Sequence, residues 1–214
     1  MWEFMSLASE LVSSVIQLLV FAFIPFVVYV ASRKTVKGFL RDLGFHPAER
    51  RSWQLMWIAL AAVCVIHPVH YLIPGIPEVM NSEASLNGKV RAAGFSVEMV
   101  LVVIVVSWIK TALAEEILFR GFLAKRLIRR WGFVAGNTVQ AAVFGVIHGA
   151  LLMLLSEIPI PLPALAAVVL FPAAAGYVLG WIKEKQGNGS ILPGFVAHGL
   201  GNNVTLLMVM FGWA

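Results

Sequence analysis

Several side chains that could perform acid–base chemistry lie inside long apolar stretches of this sequence. They are Glu115, Glu116 and Arg120 in one stretch, His148 in the next, and His198 with Asn202 in the last. A charged side chain at the centre of a bilayer costs about 2.5 to 3.5 kcal/mol, so each of these residues needs a partner or a function. Together they supply a general base, a group that orients water and donors for an oxyanion, which are the components of amide hydrolysis.

The spacing within each stretch predicts how these side chains are oriented. On a helix, residues four apart share a face, so Glu116 can pair with Arg120, while Glu115 points about 100° away and stays available. His198 and Asn202 are also four apart and place an imidazole and an amide on one face. Each pattern also has a simpler interpretation, namely a charge cluster at a helix end, a packing histidine or an interhelical hydrogen bond.

The composition predicts the elements that must position these residues. Sixty per cent of the 214 residues are hydrophobic and only 13% are charged, which indicates a single membrane domain over residues 1–214. Six stretches approach the roughly 20 residues that a helix needs to cross a bilayer. The predicted fold is therefore an all-α, polytopic transmembrane helical bundle with spans at 11–31, 53–73, 95–122, 133–155, 162–182 and 191–213.

The first stretch is not expected to be a cleaved signal peptide. Glu3 and Glu10 precede or begin it and no basic residue does, whereas a signal peptide starts with a basic segment. The segment after the second span, 74–94, contains Pro74, Gly75 and Pro77, and these residues predict an irregular loop.

The basic residues predict the orientation of the bundle. They are concentrated in three loops, which precede the second, fourth and sixth predicted spans: Arg33, Lys34, Lys37, Arg41, Arg50 and Arg51; Lys125, Arg126, Arg129 and Arg130; Lys183 and Lys185. By the positive-inside rule these loops are cytoplasmic and both termini are non-cytoplasmic. The net charge of +5 then indicates contact with the lipid bilayer, and we expect no nucleic-acid partner.

Chain arithmetic predicts that the polar residues meet at one depth. The midpoint between Glu115 and His148 falls at Trp131 and Gly132, where the turn of a helical hairpin is expected, so the hairpin brings these two residues level. His198 lies about eight residues, or roughly 12 Å of helical rise, after the loop at 187–190 that enters the membrane from the same side.

Three motifs carry a resemblance to a known family. Glu115-Glu116-Ile-Leu-Phe-Arg120, Phe144-Gly-Val-Ile-His148 and His198-Gly-Leu-Gly-Asn202 resemble those of the CPBP family of intramembrane proteases. This family includes the CAAX prenyl endopeptidase Rce1 and bacterial Abi proteins linked to bacteriocin processing or immunity. The resemblance covers a core at 100–206, and residues 1–94 would contribute two additional N-terminal helices and their loops.

The resemblance implies an intramembrane endopeptidase with defined residue roles. Glu115, helped by His148, would activate water, and His198 with Asn202 would stabilise the oxyanion. Glu116, Arg120 and Phe144 would support the site. A glutamate mechanism of this kind requires no cofactor, although Glu115, His148 and His198 could form a zinc site with two histidines and one carboxylate.

The family also indicates substrate classes and a location. The implied substrate is a membrane-associated peptide or protein, with lipidated (prenylated) C-terminal motifs, bacteriocin leaders and C-terminal sorting segments as the family's classes, and the sequence does not select among them. The expected location is a prokaryotic cytoplasmic (inner) membrane. A different class of function fits the same residues, because intramembrane Glu and His side chains also form proton relays. The alternative is a non-enzymatic protein, either a bacteriocin immunity factor or a proton-coupled carrier.

Overall fold

The computed structural model describes residues 6–213, and every regular element within that range is helical. Glu3 lies outside the described residues. Between residues 6 and 213, nine α-helices and three π-helical segments follow one another: α1 (Leu7–Arg33), α2 (Phe39–Leu43), α3 (Arg50–His70), α4 (Ile76–Met80), α5 (Leu86–Ala93), α6 (Val97–Val105), π1 (Val106–Leu113), π2 (Glu116–Ala124), α7 (Lys125–Leu155), α8 (Leu162–Trp181), π3 (Ile182–Gln186) and α9 (Leu192–Met210). The predicted all-α fold is confirmed.

Four helical stretches of the described residues are long and apolar enough to cross a membrane. They are Leu7–Arg33, Arg50–His70, Val97–Leu155 and Leu162–Gln186. Large apolar side chains remain exposed along them, including Phe23 (64%), Val65 (71%) and Leu170 (65%). Lipid is the environment that such continuous apolar surfaces require, and the chain is therefore an integral membrane protein.

The third of these stretches, 59 residues long, is a helical hairpin. Its backbone leaves helical geometry at Gly132, where φ is 77° and ψ is 170°. Phe119 and Phe144, which are symmetric about this break, face each other with ring centroids 4.8 Å apart. The turn therefore lies where the sequence placed it. The four stretches contain five of the six predicted spans, because one stretch is a hairpin with two limbs. They do not include α9, so the count of six spans stays a prediction.

The first limb of the hairpin differs from the predicted span at 95–122. It runs without interruption from Val97 to Trp131, and the segments π1 and π2 flank Ala114 and Glu115. A π-helix has i→i+5 hydrogen bonds, is rare, and occurs frequently at functional sites. Arguments from 3.6-residue periodicity could not anticipate it.

The segment at 74–94, expected to be irregular, forms the short helices α4 and α5. Pro77 lies in the first turn of α4, where its missing N–H costs no hydrogen bond. Ser85 caps α5 by accepting a hydrogen bond from the Gly88 amide at 2.9 Å. The irregular loop predicted from Pro74, Gly75 and Pro77 was wrong because Gly75 and Pro77 begin a helix here, at its N-cap and in its first turn, rather than interrupt one.

Helix α1 is attached to the first limb of the hairpin by polar contacts. The Lys110 ammonium lies 2.8 Å from the Glu10 carboxylate and 3.0 Å from the Ser13 hydroxyl. The Gln17 side-chain amide donates to the Lys110 carbonyl at 2.7 Å. Each polar group therefore has a partner, which offsets the cost of placing it between two apolar helices.

The three basic loops lie at one end of the bundle. Lys125, at the start of α7, forms an ion pair with Asp42 at 2.7 Å. The Ser190 hydroxyl donates to the His46 carbonyl at 2.6 Å, and the Ile191 amide donates to the Gly44 carbonyl at 3.1 Å. The shared end is what the orientation argument required, and its assignment to the cytoplasmic side stays a prediction.

Helix α9 approaches π1 closely at a single glycine. A Cβ atom added at Gly199 would lie 2.6 Å from Cε3 of Trp108, whereas one added at Gly201 would lie 3.9 Å from Cδ1 of Leu60. The close approach is made at Gly199 alone, because Gly201 faces α3 with ordinary van der Waals spacing.

We predict opposite effects for alanine at these two glycines. Gly199→Ala forces its methyl group against the Trp108 ring and should lower the free energy of unfolding by about 1 to 3 kcal/mol. Gly201→Ala adds helix propensity without a clash and should leave stability unchanged or raise it by up to about 1 kcal/mol. Thermal unfolding of the purified variants in one detergent measures both. Equal melting temperatures would contradict the described packing.

Candidate active site

A buried ion pair lies at the centre of the polar cluster. Arg120 Nη1 is 3.2 Å from Glu116 Oε1, and each side chain is only 1% exposed. Two glycines provide the space that the pair occupies. A Cβ at Gly176 would lie 3.1 Å from Arg120 Nη2, and a Cβ at Gly194 would lie 3.0 Å from Glu116 Oε2. The pair is thus enclosed by α8 and α9 as well as by its own helix.

The Arg120 guanidinium also stacks on an aromatic ring from the second limb of the hairpin. Its carbon Cζ lies 4.2 Å from the centroid of the Phe144 ring. Among the described residues, none of its three nitrogens has a partner with hydrogen-bond geometry. Charge attraction to Glu116 and the cation–π contact with Phe144 are therefore its main compensation for burial.

His198 lies between the two adjacent carboxylates. Its Nδ1 is 3.2 Å from Glu116 Oε1, and its Nε2 is 3.7 Å from Glu115 Oε2. The first contact is a hydrogen bond, whereas the second is within ion-pair distance but too long for a direct hydrogen bond. We expected Glu115 to point away from the Glu116 pair. Instead the two carboxylates reach opposite nitrogens of one ring.

Glu115 differs from Glu116 in how its negative charge is balanced. Its side chain is 14% exposed, and its Oε2 atom is buried without a hydrogen-bond partner among the described residues. Arg120 neutralises Glu116, whereas the only basic group of residues 6–213 within ion-pair distance of Glu115 is the His198 ring, at 3.7 Å. Glu116 Oε2 likewise lacks a hydrogen-bond partner among these residues, so the two carboxylates differ in their pairing with arginine and in their exposure.

His148 is oriented by its own helix. Its Nδ1 lies 2.7 Å from the Phe144 carbonyl, so Nδ1–H donates to that oxygen and Nε2 of the neutral ring is an acceptor. The Phe144 ring is 4.4 Å from the His148 ring and 6.2 Å from the His198 ring. Within residues 6–213, no hydrogen bond or ion pair joins His148 directly to Glu115 or His198, and the Phe144 ring is the aromatic neighbour that both histidines share.

Asn202 has a partner that the sequence analysis missed. Its side-chain NH2 donates to the Thr111 hydroxyl at 2.9 Å, and that hydroxyl lies 2.9 Å from the Ser107 carbonyl and 3.0 Å from the Val106 carbonyl. Thr111 is four residues before Glu115. The usable signal was therefore present, since a threonine at this spacing shares a helix face with the glutamate.

A second buried polar pair, also missed, joins α7 to α8. Asn137 and Gln140 are fully buried, and Gln140 donates to the Asn137 side chain at 3.0 Å and to the Gly176 carbonyl at 2.9 Å. Asn137, Gln140, Phe144 and His148 are three or four residues apart, which places them along one helix face. That spacing was visible in the sequence and marked this face of α7.

The donor set for a zinc ion does not assemble in this arrangement. Across the described range, no three His, Cys, Asp or Glu side chains form a group that could hold a metal ion. Glu115 and His198 approach each other, whereas His148 is held by Phe144. The three residues suggested as zinc ligands therefore do not fit that role, and no step below uses a metal.

Comparisons with known proteins give one finding. A protein-family model described as type II CAAX prenyl endopeptidase Rce1-like matches residues 97–204, just over half of the chain. No curated protein and no solved structure matches the chain. The matched residues include both limbs of the hairpin, α8 and most of α9, and so contain every residue of the polar cluster.

We predict that removal of one member of the buried pair destabilises the protein. Arg120→Met leaves the Glu116 carboxylate buried without its cation, which should lower the free energy of unfolding by about 3 to 5 kcal/mol. The double variant Glu116→Gln/Arg120→Met removes both charges and should recover part of that loss. Thermal unfolding in detergent tests this, with exposed Arg130→Met as the matched control. Wild-type stability in Arg120→Met would contradict the ion pair.

Proposed function

This chain belongs to the type II CAAX prenyl endopeptidase Rce1-like family, and we propose that Glu115 activates the water that cleaves its peptide substrate. The family supports a CAAX-type intramembrane protease in general. The role proposed for Glu115 rests on the position of His198 between two carboxylates, of which only Glu116 is also paired with an arginine. Glu116 is neutralised by Arg120, and Glu115 remains available as a base.

The proposed first step is proton transfer from water to Glu115. The resulting hydroxide attacks the carbonyl carbon of the scissile peptide bond, and the carbonyl oxygen becomes an oxyanion. His148 supports this step, because its Nδ1–H donates to the Phe144 carbonyl and leaves Nε2 able to accept a hydrogen bond from the same water. The C–N bond then breaks, and Glu115 returns the proton to the leaving amine.

The proposed oxyanion donors are His198 and Asn202. Asn202 has two side-chain hydrogens, and Thr111 accepts one of them, so the second can point at the oxyanion. His198 contributes through Nε2. Because Nδ1 donates to Glu116, this role requires the doubly protonated ring.

The proposed substrate is a membrane-associated peptide or protein, and the proposed location is a prokaryotic cytoplasmic membrane. An extended peptide bond within the bilayer needs partners for its backbone groups, since each unsatisfied group costs several kcal/mol. The side chains of Glu115 and Asn203 offer buried polar atoms without partners among the described residues. They support binding of a polar backbone rather than a purely apolar ligand.

We predict that Glu115→Gln and His148→Ala abolish cleavage, each by at least about 100-fold, because each removes a group that handles the water proton. Both variants should still insert and purify normally. The measurement is mass-spectrometric mapping of peptide termini in membranes from cells that express each variant. The controls are Glu157→Gln and His46→Ala, which make the same changes outside the cluster.

Residual cleavage near the wild-type level in either variant would refute these roles. The same assay tests the metal alternative, since loss of cleavage with a chelator and recovery with zinc would replace the glutamate mechanism. Coupled proton flux in liposomes that survives Asn202→Ala would instead identify a carrier.

We predict that Thr111 acts by positioning Asn202. Thr111→Val keeps the shape of the side chain but removes the hydroxyl, and it should lower kcat about tenfold with little change in KM, because only the transition state loses a donor. The double variant Thr111→Val/Asn202→Ala should be no slower than Asn202→Ala alone. Thr205→Val is the matched control. Additive losses would show that the two residues act independently.

A further inference from the structure

A cavity of about 370 Å³ opens at the basic end of the bundle, where α1 ends and α7 begins. It is lined by Tyr29, Ser32, Arg33, Asp42, Lys125, Arg126 and Arg129. A second opening of about 400 Å³ shares several of these residues and adds Arg41. We call the first of these the basic cavity. None of its lining residues belongs to the polar cluster around Glu115.

The basic cavity carries an uncompensated positive charge. Its single acidic lining residue, Asp42, forms an ion pair with Lys125, whose ammonium lies 2.7 Å from the carboxylate. No carboxylate of the described residues lies within ion-pair distance of Arg33, Arg126 or Arg129. Three guanidinium groups around one cavity repel each other, and an anion placed between them relieves that repulsion.

One of these guanidinium groups is held in place without an acid. Arg126 Cζ lies 3.7 Å from the centroid of the Phe122 ring, and its Nη1 donates to the Phe122 carbonyl at 3.3 Å. These contacts use one face and one nitrogen of the group. The remaining N–H donors have the planar arrangement that suits a phosphate oxygen pair.

An apolar surface continues from the basic cavity toward the other end of α1. Val12, Leu19 and Phe26 precede Arg33 at intervals of seven residues, so all four lie along one side of the helix. The three apolar side chains are 61%, 63% and 39% exposed. A ligand that places an anionic group at Arg33 can therefore lay hydrocarbon chains along the same helix.

We propose that the basic cavity binds the phosphate group of an anionic membrane lipid. The volume accommodates a phosphate with a small headgroup, the guanidinium groups supply charge-assisted hydrogen bonds, and the exposed side of α1 receives the acyl chains. This apolar stripe favours a lipid over a soluble phosphate compound, for which it would serve no purpose. Such a lipid would bridge α1 and α7 at the membrane surface.

The test compares lipids retained by the purified protein in native mass spectrometry. The protein in detergent is mixed with equal amounts of phosphatidylglycerol and phosphatidylcholine, and we expect retention of phosphatidylglycerol in clear excess. Arg126→Gln/Arg129→Gln should lower the retained phosphatidylglycerol about tenfold or more, since each lost charge weakens the attraction to the anion. Arg50→Gln/Arg51→Gln removes two charges from the same end and should have no such effect.

Equal losses in the two double variants, or no loss in either, would overturn the site. Arg126→Lys/Arg129→Lys covers the case in which the glutamine variant does not fold. It keeps the charge but loses the planar donors, and its retention should fall between wild type and the glutamine variant. Glycerol 3-phosphate is the soluble competitor. If it displaces the lipid at equimolar concentration, the site belongs to a soluble phosphate compound and the lipid assignment is overturned.

Discussion

The buried ion pair between Glu116 and Arg120 is the interaction on which the arrangement of the site depends. Both groups lie within the apolar bundle at 1% exposure, and neither charge is tolerated there without the other. Each also contacts a different helix, since Glu116 accepts from His198 on α9 and Arg120 stacks on Phe144 of α7. One pair thereby connects three parts of the chain that are far apart in sequence.

This ion pair makes the surroundings of the two adjacent carboxylates different. Glu116 is neutralised and enclosed, so it can hold His198 but has little capacity for proton transfer. Glu115, one residue earlier, faces the other nitrogen of the same ring, and no arginine or lysine of the described residues lies within ion-pair distance of it. The local π-helical backbone on both sides of Glu115 accompanies this unusual presentation of two neighbouring side chains to one imidazole. The structural carboxylate and the proposed base are distinguished by surroundings rather than by residue type.

Sequence reasoning identified the parts of the site whose geometry repeats along a single helix. The four-residue spacing predicted the contact between Glu116 and Arg120, and the midpoint at Gly132 predicted the hairpin. It did not predict features set by contacts between helices. Gly176 acquires its role only when α8 packs against the hairpin, and the two carboxylates converge on His198 through wider turns than the α-helical period assumes. Gly75 and Pro77 were misjudged because each can either interrupt a helix or begin one.

The position of the site relative to the basic end limits how a substrate reaches it. Glu115 and Lys125 are ten residues apart on one helix, which corresponds to about 15 Å at the α-helical rise and to less where the π turns shorten it. The groups proposed for catalysis therefore lie up to about half a bilayer thickness from the basic end of the bundle. A peptide that enters to this depth leaves water, and its backbone groups must find partners before the bond is attacked. The buried Glu115 Oε2 atom, which has no hydrogen-bond partner among the described residues, can accept a hydrogen bond from such a backbone, so the proposed base also favours entry of an extended peptide over entry of lipid.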